Sequence, residues 1–125
     1  MGNLLFESES FAIRGACYEV HNEKGSGFFE SVYQECLEKE MRRQGIPFRS
    51  QPELMLDYKG EVLTQKYKPD FICYEKIIVE LKTVECLTDK HRGQVMNYLK
   101  ATGMKLGFLV NFSSHPKVEI VRIVL

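Results

Sequence analysis

The sequence predicts a mixed α/β fold, a single domain over residues 1–125 with its elements in the order α-α-β-β-β-α-β-β. Three observations predict it. Two amphipathic stretches, each closed by glycine, open the chain; alternating runs joined by turn residues occupy Phe48 to Lys82; a strand–helix–strand pattern ends it. The apolar fraction of 44% and charged fraction of 27% are those of an ordinary globule, and 125 residues suffice for one core but not two.

After a short lead over residues 1–8, a helix is expected from Ser8 or Ser10 to about Asn22. Ile13, Ala16, Cys17 and Val20 recur at three- and four-residue spacing and make one buried stripe; Glu19 lies beside it and His21 continues it. The segment Lys24-Gly25-Ser26-Gly27 breaks this helix. A second helix follows from Phe28 or Phe29 to about Gln44, with Phe29, Val32, Tyr33, Cys36, Leu37 and Met41 as its buried stripe and Gly45 as its end. Glu30 falls in its first turn, where the helix N-terminus favours a carboxylate, on the face that Tyr33 shares.

Phe48 to Tyr58 reads as one strand, turning through Lys59-Gly60 into a second strand from Val62 to Ile72. A turn at Cys73 to Lys76 leads to a third, Ile77 to Lys82, which completes a three-stranded antiparallel meander. A third helix is expected from Leu87 to Thr102, with Thr88 as N-cap and Gly103 as its end. Strands Leu106 to Asn111 and Val118 to Val124 close the chain, and the crossover through the third helix makes the sheet mixed.

Seventeen basic and seventeen acidic residues cancel, so the composition supplies no bulk attraction to nucleic acid or to an anionic membrane. That disfavours a nucleic-acid coat protein but not an enzyme whose site is built from carboxylates. Cys17, Cys36, Cys73 and Cys86 sit in apolar patterns without close pairing, which predicts reduced, mostly buried thiols and a cytoplasmic location. No apolar run is long enough for a membrane span, and no secretory leader is expected. Met1-Gly2 is followed by Phe6 where an acylation signal needs Ser or Thr, so no lipid anchor is expected.

The chemistry concentrates between Pro69 and Lys82. Along the strand Ile77 to Lys82, side chains alternate, so Ile77, Val79 and Leu81 share one face and Ile78, Glu80 and Lys82 the other. Two charges in so apolar a strand must be open to solvent, paired or metal-bound. Asp70 lies beside Glu80 if the two strands are antiparallel. Asp70 and Glu80 would then offer hard oxygen ligands to Mg2+ or Mn2+, the Leu81 carbonyl could complete the shell, and Lys82 could position or deprotonate a water attacking a phosphodiester. A salt-bridged strand edge accounts for the same spacing. On the third helix Gln94 and Tyr98 share a face, near His91 and Asn97, and could orient a water or phosphate; a polar helix surface is the alternative for each.

Other constellations do not rise. His21, His91 and His115 do not combine with the cysteines at zinc-ligand spacing. Gly25-x-Gly27 follows a helix rather than a strand and lacks the remainder of a nucleotide cradle. Ser113-Ser114-His115-Pro116 reads as a polar loop, and there is no nucleophile elbow.

Pro69-Asp70, Glu80-Leu81-Lys82 and Gln94-x-x-x-Tyr98 resemble the PD-(D/E)XK nuclease superfamily, in its branch with a glutamine–tyrosine motif after the catalytic strands. More closely, Gly27-Phe28-Phe29-Glu30-Ser31-Val32-Tyr33 is similar to the signature for which the GxxExxY protein family is named. Glu19-Val20-His21, Gln51, Tyr58-Lys59-Gly60 and the run Gly107 to Phe112 extend the likeness over nearly the whole chain. The resemblance implies a restriction-endonuclease-like core and a Mg2+- or Mn2+-dependent nuclease acting on DNA. Asp70 and Glu80 would hold the metal, Lys82 would be the general catalytic residue, and Gln94 and Tyr98 would support it. Glu30 matches an upstream helical glutamate that helps complete the metal site in related nucleases. Arg42, Arg43, Lys66, Lys68, Lys90 and Arg92 could supply phosphate contacts, with a solvated surface as the default reading for each. A small nuclease core of this kind also suggests a homodimer, through the final strand or the long hairpin, or a larger DNA-processing partner; the alternative is a catalytically silent module that keeps the fold for nucleic-acid or protein binding.

Overall fold

The computed structural model describes residues 5–125, so the acylation reading of Met1-Gly2 and part of the N-terminal lead fall outside the described residues. Helix α1, Glu7–Lys24, buries Ser10, Ile13, Ala16, Cys17, Val20 and His21. It runs two residues beyond the expected Asn22 and ends at Gly25, whose positive φ of 75° lets its N–H turn back to the His21 carbonyl at 2.8 Å. Helix α2, Glu30–Gln44, buries Tyr33, Leu37 and Met41.

Phe29 was expected in that buried stripe and is instead 85% exposed. It is the N-cap residue, with extended backbone, so its side chain leaves the axis before helical periodicity begins. The loop ahead of α2 is held from below. The Tyr33 hydroxyl donates to the Gly25 carbonyl at 2.5 Å and accepts from the Phe28 N–H at 3.2 Å, and its ring stacks on Phe112 with centroids 4.5 Å apart.

The expected three-stranded meander is corrected to five shorter strands. These are β1 (Phe48–Ser50), β2 (Leu54–Tyr58), β3 (Glu61–Tyr67), β4 (Phe71–Cys73) and β5 (Ile77–Lys82). Both arms of the long hairpin break where proline removes a ladder donor, at Pro52 after the left-handed Gln51 and at Pro69. The outer halves, β2 and β3, form a separate two-stranded ribbon, while the inner halves, β1 and β4, join the main sheet. After β5 come α3 (Asp89–Thr102), β6 (Leu106–Asn111) and β7 (Glu119–Val124). The main sheet has the order β1-β4-β5-β6-β7 and is mixed as expected: β5 and β6 are parallel across the α3 crossover and the other pairs antiparallel.

Helices cover both faces. On one, α1 and α2 pack Ile13, Cys17, Tyr33, Leu37 and Met41 against Phe71, Val79, Leu81, Phe108 and Val110. On the other, Val95 and Leu99 of α3 pack on Ile72, Ile78, Leu109 and Ile123. The side-chain alternation along β5 is thus the expected one, with Glu80 on the α3 side. Gly107 lets α3 lie close over β6, since a Cβ there would meet Val95 Cγ1 at 3.0 Å. Thr88 caps α3 as expected: its Oγ1 accepts from the His91 N–H at 3.4 Å, and His91 Nδ1 accepts from the Thr88 N–H at 3.0 Å.

Cys17 and Cys73 are buried and Cys36 half-buried, but Cys86 is exposed; all four are free. Buried His21 bonds the Ser114 carbonyl through Nε2 at 2.8 Å, which ties α1 to the loop before β7. Among the described residues no helix is long and apolar enough to cross a membrane.

Candidate active site

The site forms where the β4–β5 ladder runs out. Pairing ends at Phe71↔Val79, so the next residues in register are Asp70 and Glu80. Side chains take over from the missing ladder. The Asp70 N–H donates to Glu80 Oε1 at 3.1 Å, and the Leu81 N–H donates to Asp70 Oδ2 at 2.7 Å. The expected neighbourhood of the two carboxylates is therefore present.

The backbone of Leu81 faces Asp70. In an extended strand the N–H and C=O of one residue point toward the same neighbour. The Leu81 N–H reaches toward Asp70, so its carbonyl faces that side too, beyond the end of the β4 ladder. The Lys82 carbonyl faces the opposite way and accepts from the Phe112 N–H at 2.9 Å.

The Asp70 backbone is anchored from two directions, its carbonyl accepting from Gln34 Nε2 and from the Gln51 N–H, each at 3.0 Å. Glu80 is 8% exposed, and its Oε1 takes a second donor, the Tyr67 hydroxyl, at 2.9 Å. Burial and the Asp70 charge push the Glu80 carboxyl up to about 7, against the opposing pull of the Tyr67 hydroxyl, the Asp70 N–H and Lys82. Burial also raises Asp70, while the Leu81 N–H and Lys82 lower it. Partial burial and then the Asp70 charge raise Glu30, opposed by Lys82.

Two clefts flank this pair. One, of about 300 Å3, is lined by Glu30, Ser31, Gln34, Gln51 and Asp70. The other, of about 730 Å3, is lined by Lys82, Lys90, His91, Gln94, Asn97 and Tyr98 along α3. Gln94 Nε2 donates to the Tyr98 hydroxyl at 3.0 Å, and the Tyr98 ring stacks on Tyr67 with centroids 3.4 Å apart. Gln94 and Tyr98 share one face of α3, as their spacing predicts, and line this cleft together with Lys82.

Glu30 opens onto the same cleft as Asp70, but among the described residues no three His, Cys, Asp or Glu side chains converge as a metal-binding group. Glu30 thus lines the cleft without joining Asp70 and Glu80 in one group of three among the described residues. Asp70 Oδ1 and Glu80 Oε2 are without a protein donor among the described residues, the Leu81 carbonyl faces their side, and oxygen is the ligand that Mg2+ and Mn2+ prefer. The Asp70 charge that raises the proton affinity of Glu80 is also charge of the kind a divalent cation neutralises.

Of the six basic residues considered for phosphate contacts, Lys90 lines the α3 cleft. Arg92 pairs with Asp89 at 3.7 Å, and the Arg42 guanidinium lies over the Phe48 ring at 5.4 Å. Arg43 lines a separate groove between α1 and α2, and Lys66 and Lys68 are exposed on and after β3. Sequence reasoning missed Tyr67 and Gln34 as partners of the acids. Gln34 follows Glu30 by four residues, so the helical spacing that flagged Glu30 could have found it; Tyr67 has no such local signal.

A five-stranded mixed sheet with helices on both faces, and two acids at the end of its central antiparallel ladder, defines a nuclease-like α/β protein. A family profile agrees with this architecture and matches residues 7–123, nearly the whole chain. The chain belongs to the PD-(D/E)XK nuclease superfamily. Its core is restriction-endonuclease-like, and it is similar to the crystal structure of SSO0001, with a TM-score of 0.61 and 17% sequence identity over 93% of this chain. The chain spans 65% of the length of that structure, and at this identity the likeness concerns the fold alone. No curated protein matches the chain.

Proposed function

We propose that this chain is a divalent-metal-dependent nuclease hydrolysing phosphodiester bonds in DNA, a member of the GxxExxY group within the superfamily. One observation carries the reading: Asp70 and Glu80 are locked together at the end of the β4–β5 ladder with Lys82 on the same face as Glu80. Asp70, Glu80 and the Leu81 carbonyl would hold Mg2+ or Mn2+, which when bound supplies charge stabilisation at the phosphate and acidifies water. Lys82 makes no ion pair among the described residues, so its side chain is available to position the attacking water as an ammonium or to take its proton as a neutral amine. Lys90, Gln94 and Asn97 line the surface over which a phosphate backbone would lie.

The test is cleavage of plasmid and short duplex DNA with Mg2+ or Mn2+, together with calorimetric titration of each metal. Metal binding that disappears in Asp70→Ala, and cleavage that EDTA stops and added metal restores, is the expected result. A folded wild-type protein that binds neither ion at millimolar concentration overturns it.

A second reading, a nuclease-fold module that binds nucleic acid or protein without turnover, is favoured by the lack of a converged third carboxylate among the described residues. It predicts DNA binding that is insensitive to EDTA and no cleavage under any metal. Assembly with a second copy or a DNA-processing partner would have the outer edge of β7 available for pairing.

A further inference from the structure

Tyr67 ends β3 and is 5% exposed, where a phenol needs a partner for its hydroxyl. That partner is a carboxylate rather than a carbonyl: the hydroxyl donates to Glu80 Oε1 at 2.9 Å. The ring cannot easily swing away, because it stacks on Tyr98 of α3 with an interplanar angle of 17°. Together with the Asp70 N–H at 3.1 Å, the Tyr67 hydroxyl makes two donors on one oxygen of Glu80, while the other has none among the described residues.

We propose that Tyr67 is a positioning residue for Glu80, occupying Oε1 so that Oε2 is turned toward the cation. The proposal rests on the metal-site reading above. Partners of this kind orient a ligand before the metal arrives, and their loss weakens metal affinity while the ligand itself remains.

The test compares Mn2+ titrations of wild type, Tyr67→Phe and Tyr58→Phe, with thermal melts of each. Tyr67→Phe keeps the ring stack and should lose roughly 10-fold in Mn2+ affinity, whereas Tyr58→Phe, an exposed ribbon tyrosine, should stay within about twofold of wild type. Equal affinity in wild type and Tyr67→Phe overturns the positioning role and leaves the metal-site reading standing. A wild type that binds no Mn2+ overturns both. Should Tyr67→Phe fail to fold, NMR of ring-labelled tyrosine in the wild type decides: the Tyr67 signal is expected to shift on addition of Mg2+, and a stationary signal in protein that binds Mg2+ overturns the proposal.

Discussion

Asp70 and Glu80 hold each other in place. The Asp70 N–H donates to Glu80 Oε1 at 3.1 Å, and the residue after Glu80 returns a 2.7 Å hydrogen bond from its own N–H to Asp70 Oδ2. Two acids therefore stay side by side where burial opposes both charges and the Asp70 charge further opposes that of Glu80. The cost is borne by the fold, and a divalent cation would relieve it.

Neutralising one member should separate stability from metal binding. Glu80→Gln keeps an acceptor for Tyr67 and Asp70 but removes the buried charge. Urea unfolding at alkaline pH should show a metal-free gain of about 1–2 kcal/mol, with Mn2+ binding lost. A destabilised variant that still binds Mn2+ would remove Glu80 from the ligand set.

The same residue sets a pH dependence. Its carboxyl is pushed up to about 7 from an ordinary 4.5, so between those values the folded chain holds more protons than the unfolded one. Stability of the metal-free protein should then fall as pH rises through that window, by about 3 kcal/mol once above it. Saturating Mg2+ should offset this loss. Chemical denaturation at several pH values, with and without Mg2+, measures both; a metal-free stability that rises across the window contradicts the assignment.

Lys82 should matter for the reaction and not for the ion. Lys82→Met preserves the aliphatic stem while removing the ammonium. Cleavage should drop roughly 100-fold or more with Mn2+ affinity retained. Single-turnover cleavage beside calorimetry distinguishes this from a lost ligand, which would remove both.

Tyr33 follows Glu30 by three residues on α2, but its contacts hold the loop before that helix rather than the acids. Tyr33→Phe keeps the stack on Phe112 and loses the hydroxyl that ties Gly25 to Phe28. Unfolding should become easier by about 1–3 kcal/mol, with Mn2+ affinity unchanged. Unaltered stability would show that the loop before α2 holds without it.

Much of this was legible locally. Glycine ends at Gly45 and Gly103, the apolar stripes of α1 and α3, the Thr88 cap and the alternation along β5 all follow from helical or strand period, which neighbours in sequence determine. The placement of Asp70 opposite Glu80 was legible for the same reason, since a short turn between antiparallel strands sets register. The period misled at Phe29, because a stripe extrapolated one residue too far crosses from helix into cap.

The broken hairpin lay beyond that reach. Pro52 and Pro69 announce interruptions, yet whether the outer arms stay in the main sheet depends on what the inner arms pair with. The sequence by itself determined the element types, the superfamily-like acids and lysine, and the face on which each lies. Only the tertiary structure decided that Tyr67 and Gln34 would brace Glu80 and Asp70, that Lys90 would line the α3 cleft, and that Glu30 would open onto Asp70 without closing a three-carboxylate group. Local periods direct side chains to one side or another, whereas convergence of groups from α2, β3, β5 and α3 is set by how the layers stack, a long-range property that no short stretch encodes.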